Sequence, residues 1–483
     1  MELMVKLYIN GEWVESYNQK NIPIINPASE QIIGKVAYCH KQDLDKALYS
    51  AHQGFNVWKS TPAFDRSNIM KRAADLLRER IKEIAVLMSL EQGKPISQSQ
   101  AEITSAIGII EWFAAEAVRV YGQVIPSRNH SIQQITLREP IGPVAAFTPW
   151  NFPINQIIRK LCAALAAGCS IIIKAPEETP ISPAELIKVF HDAGIPAGVI
   201  NLIYGNPAEI SEYLISNPII KKVSFTGSTA VGKQIASLAG QHMKRVTMEL
   251  GGHAPVIICA DADIDLAIQQ MVIAKFRNAG QVCIAPTRFL IQEEIYNIFK
   301  EKFVKAVSLL KVGPSDNVQN DIGPLIHEKA LNRVKNLVED ATTCGAKILI
   351  GGQQLEHKGY FYQATVLENI PLEAKVLSEE PFGPIALLIK FNVLEEAIDK
   401  ANSLPYGLAA YAYTYDSRNI MKISNELKCG MIAINHVGLA LPEVPFGGVK
   451  ESGYGTEGGS EAIECYLDTK LVSLHAESKM RTH

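Results

Sequence analysis

The 483-residue sequence holds no C-x-x-C pair and no cluster of cysteine with histidine; its eight cysteines (39, 162, 169, 259, 283, 344, 429 and 465) are scattered. That scatter excludes a disulfide framework and a structural zinc site, so no metal is expected and most thiols read as buried. No charge of one sign dominates either: 47 lysines and arginines face 50 aspartates and glutamates, for a formal net charge of −3. Without a basic face, nucleic acid and anionic membrane are excluded as partners, and a small molecule is expected instead. Long apolar runs are also missing, since the stretch 154–173 is broken by Arg159, Lys160 and Gly168 and is not expected to span a bilayer. The first residues, MELMVKLYINGEWVES, lack the basic segment and apolar core of a secretion signal, and a cytoplasmic protein is expected. There is no internal repeat and no low-complexity tract.

What is present is alternation. A chain of this length predicts two or three domains. From residue 142, short β-branched runs alternate with helical segments: VAAF (144–147), a helix over 154–168, SIIIK (170–174), a helix over 182–192, VINLIYG (199–205), a helix near 208–216, KVSF (222–225), a helix over 229–239, and RVTME (245–249). Repeated βαβ units predict a mainly parallel sheet covered by helices. A second alternation starts at PVIIC (255–259) and continues through TRFLI (287–291) to about residue 450. Two α/β domains follow. The segment 123–140 interrupts the first of them and reads as a hairpin, and YLDTKLVSLH (466–475) reads as another exposed strand; both are expected to reach a neighbouring subunit.

FTGSTAVGKQ imitates a phosphate loop, with Gly227, Gly232 and Lys233 spaced as G-x-x-x-x-G-K. The next position should carry a hydroxyl for Mg²⁺, and it is Gln234, which speaks against an ATPase. Three other residues stand where chemistry could occur. Cys283 in GQVCIAP sits in a loop read as leading into a helix N-terminus, which would favour a thiolate, although a lone cysteine is more often a small buried hydrophobe. Glu249 ends an apolar strand ahead of two glycines, either facing the crevice where α/β sheets bind ligands or simply exposed. Asn151, between Trp150 and Phe152 and flanked by Pro149 and Pro153, is either an Asx turn or an amide held rigidly enough to donate to an oxyanion.

Seven motifs, PWNFP (149–153), KAPEETP (174–180), FTGSTAVG (225–232), MELGG (248–252), GQVC (280–283), EEPFGP (379–384) and PFGGVKESGYG (445–455), resemble those of the aldehyde dehydrogenase superfamily, in order and with suitable spacing. The resemblance covers nearly the whole chain. It implies two Rossmann-like α/β domains and a small β oligomerisation element: residues 1–122 and 141–250 for the NAD-binding domain, 251–451 for the catalytic domain, and 123–140 with 452–483 for the element that builds a homodimer or homotetramer.

The implied mechanism gives each residue a task. Cys283 attacks the aldehyde, the Asn151 amide and the Cys283 N–H stabilise the oxyanion, hydride leaves for the nicotinamide, and Glu249 activates water against the resulting thioester. Lys174 and Glu177 match positions that hold the adenosine ribose, and the charge of Glu177 favours NAD⁺, with NADP⁺ as second choice. Gly227 and Ser228 meet the pyrophosphate, while Trp150, Glu380 and Phe382 belong to the nicotinamide side. Lys233 is then a solvated surface residue. Glu249 follows Gly227 at nearly the Rossmann spacing of about 20 residues, but the glycines do not fit that fingerprint, so the ribose falls to Glu177.

Within the superfamily, Gln156, Arg159 and Lys160 after PWNFP, and the RNAGQVC of Arg277 to Cys283, resemble dehydrogenases of succinate semialdehyde and 2-oxoglutarate semialdehyde. Arg159 and Arg277 would grip a substrate carboxylate, or else serve only as salt bridges; Phe152, Gln156 and Ile284 would line the same pocket. The alternative substrate is an uncharged aldehyde.

Overall fold

The computed structural model describes residues 3–475. Five parallel strands, in the spatial order Arg245–Glu249, Lys222–Thr226, Val144–Phe147, Ile171–Lys174 and Ile200–Ile203, form the centre of an eight-stranded sheet. Antiparallel strands close its ends: Gly453–Tyr454 on one side, Leu7–Ile9 and Glu12–Val14 on the other. The helices Asn155–Ala167, Ile181–Asp192, Pro207–Ser216 and Thr229–Gln241 make the crossovers that parallel pairing requires. With helices on both faces, strands such as VAAF, IIIK and INLI are buried at every position, which is why they read as unbroken apolar runs.

The second sheet has seven strands, in the order Lys347–Ile350, Thr365–Glu368, Ile385–Phe391, Pro286–Gln292, Ala254–Ile258, Ala409–Tyr413 and Met431–Ile434. All pair in parallel except the first, an antiparallel edge. Each sheet carries its own apolar core. The chain leaves the first sheet at Glu249 and enters the second at Ala254. The C-terminal edge of one sheet therefore faces the N-terminal edge of the other across a four-residue link.

The expected hairpin is present, as Gln123–Ile125 paired with Ile132–Pro140. The C-terminal strand Leu467–His475 pairs antiparallel along its full length, with Leu467 opposite Pro140 and His475 opposite Ile132. Residues 453–466, grouped with this arm on sequence, pack instead on the first sheet: Gly453 and Tyr454 pair with Glu249 and Met248, and Ala462, Ile463 and Tyr466 enter the first core. Burying those apolar side chains outweighs any continuation of the arm. Residues 476–483 of that grouping lie outside the described residues.

Four helices that sequence patterning left unread, Lys41–Trp58, Ala63–Glu79, Ile81–Gln92 and Ile96–Glu116, bury apolar residues in the first core. No described helix is long and apolar enough to cross a membrane.

Candidate active site

Glu249 ends its strand with 3% of its surface exposed, and neither carboxylate oxygen has a hydrogen-bond partner among the described residues. Burial above all, then the charge of Glu457, raises its pKa well above the ordinary carboxylate value; Lys160 and Arg159 oppose the rise. Lys160 is itself fully buried, paired with Glu457 and donating to Thr226 Oγ1 at 2.7 Å, while Ser224 Oγ donates to Glu457 at 2.9 Å. Sequence spacing gave no sign of Glu457, because it arrives from more than two hundred residues downstream.

The two glycines after Glu249 are required by close approach. A Cβ on Gly251 would lie 2.5 Å from Glu380 Oε2, and one on Gly252 would lie 2.8 Å from the carbonyl oxygen of Cys283. MELGG thus lets the acid, the thiol loop and Glu380 converge on one point.

Cys283 is a half-buried free thiol. Burial, then the carboxylates of Glu380 and Glu249, push it up to about 12, and Arg277 pulls it down. The expectation that its loop opens a helix is corrected: Cys283 lies in a turn ahead of the strand Pro286–Gln292, so no helix dipole favours the thiolate. The resting thiol is neutral, and proton removal must accompany its attack. Three and two residues before Gln281, the backbone takes left-handed values at Asn278 (φ 51°) and Ala279 (φ 53°), each a strain of roughly 1–3 kcal/mol. Asn151, 2% exposed, donates from Nδ2 to the carbonyl of Gln281 at 3.0 Å, which ties the PWNFP loop to the cysteine loop.

Two cavities flank this junction. One, of about 940 Å³, is lined by Trp150, Ser228, His327, Arg333 and Phe382 among others. Trp150 meets Phe382 edge-on with ring centres 5.7 Å apart. Glu380 stands close by; burial pushes it up to about 7, and its Oε1 has no partner among the described residues. Ser228 caps the helix Thr229–Gln241, accepting from Val231 N, and still has a proton to donate. Lys174 and Glu177 form an ion pair at 2.7 Å past the strand Ile171–Lys174, and Glu177 also accepts from Gly205 N at 2.7 Å. Burial raises the Glu177 pKa and Lys174 opposes it. Lys233 pairs at the surface with Glu451, 2.7 Å away and well exposed. These side chains fit a dinucleotide: a helix N-terminus with a hydroxyl, an aromatic wall, and carboxylates that lack or share their partners.

The other cavity, of about 360 Å³, is lined by Cys283, Ile284, Phe152, Gln156, Arg159 and Arg277, with Ser97, Gln98, Ser105 and Phe446 contributing. The two arginines differ. Arg159 is 6% exposed and spends both terminal nitrogens on backbone carbonyls, of Glu457 at 3.0 Å and Ala440 at 2.8 Å, over the ring of Phe446. Arg277 stands over the Phe152 ring at 5.7 Å, and its guanidinium makes no hydrogen bond or ion pair among the described residues.

A family model described as "Aldehyde dehydrogenase family" matches residues 13–472. The chain is similar to a 4-(hydroxymethyl)benzenesulfonate dehydrogenase of Comamonas testosteroni, 43% identical over 97% of each chain. It is also similar to the NADP(+) succinate-semialdehyde dehydrogenase GabD of Escherichia coli (strain K12), 40% identical over 96% of this chain and 97% of the other. A solved succinate-semialdehyde dehydrogenase from Burkholderia pseudomallei has a TM-score of 0.96 at 37% identity, covering 97% of this chain and 98% of that one.

Proposed function

The chain belongs to the aldehyde dehydrogenase family, and from that premise we propose that it oxidises a short aldehyde bearing an acid at its far end, succinate semialdehyde or 2-oxoglutarate semialdehyde, to the diacid. The observation that carries this reading is Arg277: a guanidinium without a hydrogen-bond or ion-pair partner among the described residues, in the same cavity as Cys283. A guanidinium facing the cavity is matched by a bidentate carboxylate and left unmatched by an uncharged aldehyde. Arg159 contributes positive potential and holds the walls formed by residues 440 and 457. Gln156, Phe152 and Ile284 shape the same cavity.

A second reading of the anion is supported by the benzenesulfonate relative, since three sulfonate oxygens suit a guanidinium as well as two carboxylate oxygens do. The 360 Å³ cavity has room for an aryl ring.

The cofactor, NAD(P), supplies the hydride acceptor. The chain does the rest. Cys283 gives up its proton to solvent water in the cavity as its sulfur adds to the carbonyl, and Asn151 Nδ2 with the Cys283 N–H receives the oxyanion. After the carbon has lost hydride and become a thioester, Glu249 takes a proton from water to release the acid, its raised pKa matching it to that exchange. We assign the cofactor to Lys174, Glu177, Gly227, Ser228, Trp150, Glu380 and Phe382, and prefer NAD⁺ because Glu177 would repel a 2′-phosphate.

The first sheet with 1–122 and 141–250 serves as the cofactor domain and 251–451 as the catalytic domain. Homodimers or homotetramers are supported by the arm, whose Val124, Leu471 and Leu474 are exposed. Eight unpaired thiols suit a reducing cytoplasm.

The test is formation of reduced cofactor from NAD⁺ and NADP⁺ with succinate, glutarate and 2-oxoglutarate semialdehydes and 4-formylbenzenesulfonate, against acetaldehyde, betaine aldehyde and benzaldehyde. Equal kcat/KM for the uncharged aldehydes would sink the acid-bearing substrate.

A further inference from the structure

We propose that Lys94 and Asn278 are positioning residues that together grip the backbone carbonyl of Asn151, and so hold its side-chain amide in register with the Cys283 N–H. The carbonyl oxygen of Asn151 accepts from Lys94 Nζ at 2.8 Å and from Asn278 Nδ2 at 2.9 Å. The two donors come from opposite sides of the junction between the sheets. Lys94 follows the helix Ile81–Gln92 on the first core, whereas Asn278 belongs to the loop that delivers Cys283.

Both donors are fixed in turn. Lys94 Nζ pairs with Glu102 Oε2 at 2.7 Å, and neither side chain has any exposed surface. The other oxygen of Glu102 accepts from the amides of Ile154 and Asn155, at 2.9 and 3.0 Å, so one buried carboxylate secures both the lysine and the far end of the PWNFP loop. Asn278 accepts from Gln92 Nε2 at 2.8 Å and donates its backbone N–H to Gln98 Oε1 at 2.8 Å. Those bonds hold a residue whose φ of 51° an unsupported loop would relax. A surface lysine would do none of this: a fully buried ammonium is retained only where its hydrogen bonds are satisfied, and here one of them goes to the backbone of the oxyanion residue.

The inference rests on the proposed addition of Cys283 to the aldehyde, in which two oxyanion donors from different parts of the chain must meet one oxygen atom. Displacing either by about an ångström removes most of its effect. Lys94 lies outside the cavity that holds Cys283, whereas Asn278 borders it; in this scheme both act through Asn151 and neither binds the substrate.

The test uses Lys94→Met and, because a buried-charge variant can fail to fold, Asn278→Gly, which removes the amide while tolerating the left-handed backbone. Three rates are read on the full-length protein: aldehyde oxidation, cofactor-free hydrolysis of p-nitrophenyl acetate, and alkylation of Cys283 by iodoacetamide. The first two build an oxyanion on the cysteine and should fall about a hundredfold in kcat. Alkylation builds none and should stay within about twofold, as should the KM for the cofactor. The double variant should lose less than the product of the two single losses, since both act on one carbonyl. Alkylation falling in parallel with turnover, or both oxyanion reactions surviving in Asn278→Gly, would overturn the proposal. A wild-type protein that hydrolyses the ester but oxidises no aldehyde would instead overturn the function on which it rests.

Discussion

Gly252 packs directly beneath Cys283: a Cβ added to the glycine would come within 2.8 Å of the cysteine's carbonyl oxygen. Gly252→Ala must therefore shift the turn that carries the thiol. The expected result is a loss of at least tenfold in kcat and about 1–3 kcal/mol in stability from overpacking. Steady-state kinetics and a denaturant melt check both; a fully active Gly252→Ala would show that the turn can move without cost.

Glu249 has no hydrogen-bond partner among the described residues, which suits a base that waits for water. In Glu249→Gln, acylation should survive and deacylation should not. Rapid-mixing experiments should show a burst of about one reduced cofactor per active site followed by a rate at least a hundredfold below wild type. Loss of the burst would reassign Glu249 to the first half of the reaction.

Glu380 binds its proton more tightly in the folded protein, at about 7, than the ordinary value of 4.5. Between those pH values the native state keeps a proton that the unfolded chain has shed, so its contribution to stability falls as pH rises. Glu380→Gln cannot suffer that loss. Without cofactor, its melting temperature should be near or below wild type at about pH 4.5 and exceed it at about pH 8, a gain of up to about 3 kcal/mol. A gain independent of pH would mean that the carboxyl is not the source.

The arginines should separate by kinetics. Arg277→Met removes a guanidinium unpartnered among the described residues and should raise KM for semialdehydes roughly 10- to 100-fold, leaving acetaldehyde nearly unchanged. Arg159→Met frees two backbone carbonyls and should lower kcat and thermal stability for every aldehyde. Identical behaviour of the two variants would remove the distinction between gripping the substrate and holding the walls.

Glu177 offers a cofactor test. Glu177→Ser removes the repelling charge and should raise kcat/KM with NADP⁺ about tenfold while weakening NAD⁺. A wild-type preference for NADP⁺ would already contradict the assignment.

The parallel sheets were legible because strands buried on both faces leave unbroken β-branched runs, whereas the glycine- and proline-bounded motifs only marked Cys283, Glu249 and Asn151 as candidates, and their roles came from the resemblance of seven ordered motifs to a family. Ile96–Glu116 was not read, since its buried acid Glu102 and lysine partner Lys94 look like surface charges until the tertiary fold encloses them. Glu457 was invisible for a related reason. Its importance lies in Lys160 and Ser224, far away in sequence, and no local pattern announces such a pairing. Arg159 and Arg277 looked alike on spacing, and only the carbonyls around one of them tell them apart.

Trp150 and Phe152 line different cavities, with Asn151 between them. Three consecutive residues thus make a partition with a doorway on each side. On the proposed assignment of the two cavities, aldehyde and dinucleotide need not queue at a common entrance, and an acid product can depart without first evicting the spent nucleotide. That arrangement makes traffic a through-flow, and it predicts that inhibition by the acid is relieved by more aldehyde but not by more dinucleotide.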